Sequence, residues 1–423
     1  MRSGRAPGRV IIWVAIVLAV LGILTAIGLA YHADKRSKAA AVAAEDAPFY
    51  LPPSELPADP GVLIRVEPMT AGGSALSVPG ARAWRMLYTS TRPDGVIVAA
   101  SGMVFVPTQA PPPNGRPLLA WAHGTIGMGA ECAPSRSANP VGPIATWLPV
   151  ALQSGWMVVA PDYAGLGTPG HELYLIGRSE AADVAFAVQA ARQIPDTDPG
   201  SLWAVMGHSQ GGHAALWTGN LGPAMAPGLD LVGVAALAPA AELPLIINAQ
   251  WDTSVSWVIG PEVQESWPRV DERLGDSALS PQGQARTSAL AMACVTDAAV
   301  EALVRQGIGQ RYYERNPLDD PAWQQMAEQQ VPSPLHPDLP VYLGQSTADT
   351  VVLAWPNATL QRQWCSAGSN VTAAWINNVS HMKTGLVMGP GAVEWLTARR
   401  DGEPTQGTCT TEPPVSPPPD QAG

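Results

Sequence analysis

The chain has 423 residues, 46% of them hydrophobic and 14% charged, with a net charge of -11. That length holds one large domain with an insertion, or two domains, and the low charge content leaves room for a large apolar core. The acidic balance argues against nucleic acid as a partner. No His/Cys spacing suited to a metal and no glycine-rich phosphate or nucleotide loop is present, so no cofactor is expected.

Arg2, Arg5 and Arg9 precede an uncharged run, Val10 to Ala30. As a helix this run spans ~31 Å, enough for a hydrocarbon core and longer than the apolar part of a cleaved signal peptide. It predicts an N-terminal transmembrane anchor within residues 1–38 (span 10–31), with secretion after cleavage near Ala41-Val42-Ala43 as the alternative. Lys35, Arg36 and Lys38 lie beyond the span, so charge asymmetry decides orientation only weakly, towards N-terminus inside. An Ala- and Pro-rich linker at 39–60 follows.

Residues 61–243 read as the first part of an α/β core. Trp84–Thr89 and Val96–Val106 are expected strands about a turn at Pro93-Asp94-Gly95. Leu118–Ala122, Trp156–Ala160, Leu202–Met206 and Leu231–Leu237 are short apolar strands. Trp147–Gln153 and Glu180–Gln193 carry helical spacing. Strands alternating with helices predict a mostly parallel sheet covered on both faces. Residues 244–337 lack buried strands and hold helix-like pieces, Ser288–Gln306 and Pro321–Gln330, as an inserted helical cap would. The core resumes over 338–411 with a strand at Leu339–Gly344, a helix at Asn357–Trp364, a strand at Val371–Ile376 and a helix at Ala392–Arg399. Residues 412–423 form a Pro-rich tail, expected to be disordered.

The stretch Gly207-His208-Ser209-Gln210-Gly211 lies between a strand and a helix. A serine at the tip of so sharp a turn sits in strained backbone, and side chains two residues either side would collide. Such a hydroxyl needs a base in reach, and the base needs an orienting group. Of the seven histidines, His381 follows the last strand, at the sheet edge where Ser209 also falls. His208 and His213 adjoin the serine in sequence and are expected to point elsewhere. Asp349, after the preceding strand, is the expected acid, with Asp162 and Asp338 as rivals. Backbone N–H groups of Gln210 and Thr125 are the expected oxyanion donors, with Gly124 allowing close approach and His123 bracing the loop. Trp251, Trp257, Trp267 and Trp323 are candidates to line an acyl site. The four cysteines, Cys132, Cys294, Cys365 and Cys409, predict two disulfides, for which three pairings exist.

Trp121-Ala122-His123-Gly124-Thr125, Glu131-Cys132-Ala133-Pro134-Ser135, Asp162-Tyr163-Ala164-Gly165, Gly207 to Gly211, Asp349 with Val351-Val352, and His381 together resemble the alpha/beta hydrolases, and within them the secretory lipases related to fungal lipase A. The resemblance spans residues 82–411. It implies the alpha/beta hydrolase fold, a helical cap over an apolar acyl pocket and hydrolysis of carboxylic esters. It also favours the pairs Cys132–Cys294, tying cap to site, and Cys365–Cys409. The expected protein is a membrane-anchored, extracytoplasmic serine ester hydrolase acting on lipid or small acyl esters through an acyl-enzyme. An acyltransferase, a serine peptidase on the same fold, and a non-catalytic binding protein are the alternatives.

Overall fold

The short apolar runs come together as neighbours in one sheet. The computed structural model describes residues 48–71 and 74–418, all within one compact unit, Pro48–Gly423. The predicted span at Val10–Ala30 lies outside the described residues. Among those described, no helix is long and apolar enough to cross a membrane.

The strands are β1 (Leu63–Pro68), β2 (Thr70–Ala71), β3 (Ser74–Ala75), β4 (Ala81–Thr91), β5 (Ile97–Pro107), β6 (Arg116–Ala122), β7 (Met157–Pro161), β8 (Pro199–His208), β9 (Asp230–Leu237), β10 (Val341–Ser346) and β11 (Val371–Ile376). β2 and β3 form a separate ribbon. The other nine make a sheet in the order β1-β4-β5-β7-β6-β8-β9-β10-β11. The β1, β4, β5 and β7 neighbours pair antiparallel, and every pairing from β7 to β11 is parallel.

Side chains alternate across the central strands. Leu118 and Ala120 of β6, Trp203 and Val205 of β8, and Val234 and Ala236 of β9 enter one core. Leu119 and Trp121, Ala204 and Met206, and Ala235 and Leu237 enter the other. This is the period of two that a pleated strand imposes. The first core is roofed by α2 (Gly177–Ala191) and α3 (Gln210–Met225), the second by α1 (Leu148–Gln153) and α10 (His381–Arg400). Burial on both faces is why these strands read as continuous apolar runs.

Between β9 and β10 lie α4 (Leu243–Gln250), α5 (Ser256–Ser266), α6 (Pro281–Ala291), α7 (Val295–Gly307) and α8 (Pro321–Gln329). Trp267 stacks on Trp323 with ring centres 5.7 Å apart, and both join Leu243, Ile246 and Val352 in a further apolar cluster. The helix expected over Ser288–Gln306 is broken into α6 and α7. The reason is tertiary: Met128 N donates to Ala291 O at 2.8 Å, Val295 N donates to Ile126 O at 2.8 Å, and Cys294 between them is bonded to Cys132.

The second disulfide joins Cys365, on α9 (Ala354–Ser366), to Cys409. Gln361 Nε2 donates to Thr411 O at 3.1 Å and Arg362 Nη2 to Val415 O at 2.9 Å, so residues 412–418, without helix or strand, run against α9. The Cys365–Cys409 loop covers 44 residues. Closing a loop of that length in the unfolded chain is worth about 4 kcal/mol on chain-entropy grounds. The double variant C365S/C409S should therefore melt several degrees lower than the parent, as read by calorimetry under oxidising conditions.

Candidate active site

Ser209 caps α3 directly after β8, with φ 59° and ψ -120°. A left-handed φ is costly for a residue with a Cβ, and the surroundings hold it in place. Ser209 N donates to Leu237 O at 2.9 Å, while its carbonyl accepts from His213 N and Ala240 N, each at 3.1 Å. A Cβ on Gly207 would stand 1.9 Å from Gly211 O, and one on Gly211 would stand 1.9 Å from Ala122 O. The two glycines thus admit the close crossing of β6, β8 and α3 that the turn requires.

His381, expected in the loop that follows the last strand, is instead the first residue of α10. Its Nε2 lies 2.9 Å from Ser209 Oγ and its Nδ1 lies 2.7 Å from Asp349 Oδ2. Asp349 Oδ1 accepts from Val351 N at 2.9 Å and Val352 N at 3.0 Å. All three side chains are buried. A carboxylate facing Nδ1 keeps the proton there, which leaves Nε2 free to accept from the serine hydroxyl. The rival acids lie elsewhere. Asp162 accepts from Ser101 Oγ at 2.6 Å and Ser135 N at 2.9 Å, and Asp338 sits beside His336.

His208 Nε2 donates to His381 O at 3.0 Å, and the two rings lie 4.8 Å apart. Burial, and then the positive charge His381 would carry, hold the His208 pKa down at about 3. A neutral His208 therefore supports His381 without repelling its protonated form. His123 places its ring nitrogens against Gly124 O at 2.8 Å and Asp162 O at 3.2 Å, and burial lowers its pKa. Gly124 backs onto the serine turn: a Cβ there would meet His208 O at 3.0 Å and Ser209 Cβ at 3.3 Å. Thr125 Oγ1 is hydrogen-bonded to Tyr174 OH at 2.6 Å.

Sequence reasoning missed the polar cluster beneath the turn. Gln210 Nε2 donates to Glu172 Oε1 at 2.9 Å and Glu180 Oε1 at 3.0 Å. Glu180 Oε2 in turn faces His213 Nδ1 at 2.8 Å, and His213 Nε2 lies 2.8 Å from Gln330 O. The only signal in the sequence was a glutamate, Glu180, early in a helix otherwise rich in alanine. Two apolar cavities meet at Ser209. One runs under α4, α5 and α8 and is lined by Trp251, Trp267 and Trp323. Trp257 is instead buried against Tyr312. The second runs past His381 towards α7.

Burial pushes the Glu172 carboxyl up to about 8. An unfolded glutamate ionises near ~4.3. Between those values the folded chain keeps a proton that the unfolded chain has lost, so stability falls as pH rises through this window. Glu172→Gln mimics the neutral acid. It should melt with the parent at pH 4 and above it at pH 8, the gap widening steadily with pH in thermal melts.

The family described as secretory lipase matches residues 144–408. A probable inactive lipase of Mycobacterium tuberculosis is 25% identical over 395 residues, covering 89% of this chain and 87% of that protein. Lipase 10 of Candida albicans is 25% identical over 400 residues, covering 85% and 82%. Among solved structures, Candida antarctica lipase A in its closed state superposes with a TM-score of 0.69 at 17% identity, covering 89% of this chain and 91% of that one. A rice cell wall degrading esterase from Xanthomonas oryzae gives 0.66 at 19%, covering 82% and 100%. These likenesses place the chain in the alpha/beta hydrolase fold.

Proposed function

The chain belongs to the secretory lipase family, and from that premise we propose that it is a serine carboxylic ester hydrolase working through an acyl-enzyme. One observation carries the reading: His381 bridges Ser209 and Asp349 at 2.9 and 2.7 Å. In the proposed reaction His381 takes the Ser209 proton as Oγ attacks the ester carbonyl. Asp349 holds the imidazole tautomer and steadies its positive charge. The N–H groups of Gln210 and Thr125 receive the oxyanion, and Gly124 lets that backbone approach. The helical segment 244–337 serves as a cap, and the cavity under Trp267 and Trp323 receives the acyl chain. The catalytic domain is proposed to lie outside the cytoplasm, held by the N-terminal span, since two disulfides suit an oxidising compartment.

The Mycobacterium tuberculosis relative is described as a probable inactive lipase, which favours a second reading, a non-catalytic protein on the hydrolase fold. Substitution separates the two. Ser209→Ala should abolish labelling by a fluorophosphonate probe and nearly all hydrolysis of p-nitrophenyl butanoate. His381→Ala should cost about as much, because the pair acts as a unit. Asp349→Asn should cost ~10⁴-fold, through the wrong tautomer. A parent protein that neither labels nor hydrolyses would overturn the hydrolase reading.

The span is proposed to anchor the protein without contributing to the chemistry. A chain starting at Ala47 should be soluble after expression and cleave p-nitrophenyl butanoate at the rate of the full chain in detergent. A folded but inactive product would place the N-terminal segment in the site.

A further inference from the structure

Ser209, Val255, Ile259 and Val351 line both cavities, so the serine stands at their junction. The cavities differ in what else they present. His381 lines the cavity on the α7 side and is not among the residues lining the one under Trp267 and Trp323.

That difference assigns the two arms of an ester, given the serine hydrolase reading above. In the acylation step the Ser209 Oγ–carbonyl carbon bond forms and the carbonyl carbon–alkoxy oxygen bond breaks. The proton that His381 Nε2 took from Ser209 passes to the departing alkoxy oxygen, which leaves as a neutral alcohol. The leaving oxygen must therefore come within hydrogen-bond reach of Nε2, and the alcohol arm must extend into the cavity that His381 lines. The acyl arm takes the other.

The walls of the His381-side cavity define the chemistry of that arm. Val295, Ala299, Ala302 and Leu303 recur at helical spacing along one face of α7, with Val258 and Met382 opposite. Among the described residues no Asp, Glu, Lys or Arg lines it, and the polar side chains there are Thr125, Ser254, His208, Ser209 and His381. A sugar, phosphate or choline group entering there would lose water without gaining charged partners. The apolar character continues outward: Leu303 is 67% exposed and Met382 64%, and the neighbouring Val300, Val304 and Ile308 are exposed too. We infer that the cleft beside His381 binds the alcohol arm of the substrate and that this arm is an aliphatic chain, making the substrate an ester apolar on both sides of the scissile bond.

The test holds the acyl group fixed and varies the alcohol. For the parent enzyme kcat/KM should rise at least tenfold from methyl butanoate to hexyl butanoate, both assayed below saturation. Ala299→Trp narrows the cleft from α7. Leu303→Glu, at an exposed position that tolerates a charge, makes its mouth hostile to an alkyl chain. Each should lower the hexyl-to-methyl ratio of kcat/KM tenfold or more, mainly through KM for the hexyl ester. A flat dependence on alcohol length in the parent, or a ratio unchanged in both variants, overturns the inference. If the parent is labelled by the fluorophosphonate and cleaves methyl butanoate, such a result leaves the hydrolase reading standing. If it neither labels nor cleaves any ester, both fall.

Discussion

A serine with φ of 59° is held between a strand and a helix by backbone contacts that leave no room for a Cβ two residues to either side. The strain is local, but what opposes it is the whole sheet. Ser209 N is bonded to the end of β9, and Gly211 lies against the carbonyls of Ala122 and His123 at the end of β6. The turn therefore holds only while β6, β8 and β9 are in register. Their burial on two faces supplies the free energy that keeps an unfavourable dihedral populated.

The same turn sets the polar architecture around it. Above it, His381 meets Ser209 and Asp349, and a His208 kept neutral lies beneath its ring. Below it, Gln210 gives both side-chain amide hydrogens to glutamates, and the Glu172 carboxyl is held protonated by burial. Two carboxyl groups this close to an amide and to each other are tolerable in a dry interior when at least one is neutral. The arrangement fixes the side chain of the residue whose N–H is proposed to receive the oxyanion. That side-chain amide cannot turn away without breaking two buried hydrogen bonds.

Much of this was legible in the chain. Parallel strands buried on both faces announce themselves as unbroken apolar runs, and a serine between two glycines after such a run has a physical reason for its spacing. Less legible was α10. Gly385, Gly389, Pro390 and Gly391 argue against a helix by propensity, yet His381–Arg400 is helical. The glycines answer to packing. A Cβ on Gly385 would press on the His208 ring at 3.1 Å, and one on Gly389 would strike Trp147 at 2.5 Å. The break between α6 and α7 was hidden for a similar reason, since it depends on Ile126 and Met128, far away in sequence. The cluster of Gln210, Glu172, Glu180 and His213 was scarcely legible. Gln210 and His213 lie three apart on α3 and share a face, but nothing in the spacing joins them to Glu172 and Glu180.

The order of the strands has a consequence for how the protein comes into being. Ser209 follows β8, Asp349 follows β10 and His381 follows β11, so the imidazole trails the hydroxyl it faces by 172 residues. At ordinary elongation rates the ribosome needs roughly ten to thirty seconds to cover that distance. The early strands can meet and the serine turn can close in that interval, while His381, the proposed base, has yet to be made. Cys132 likewise waits for Cys294, and Cys365 for Cys409. A growing chain thus carries the serine turn without its proposed base until nearly all of it has been made, and an abandoned fragment ending before β11 never gains that base.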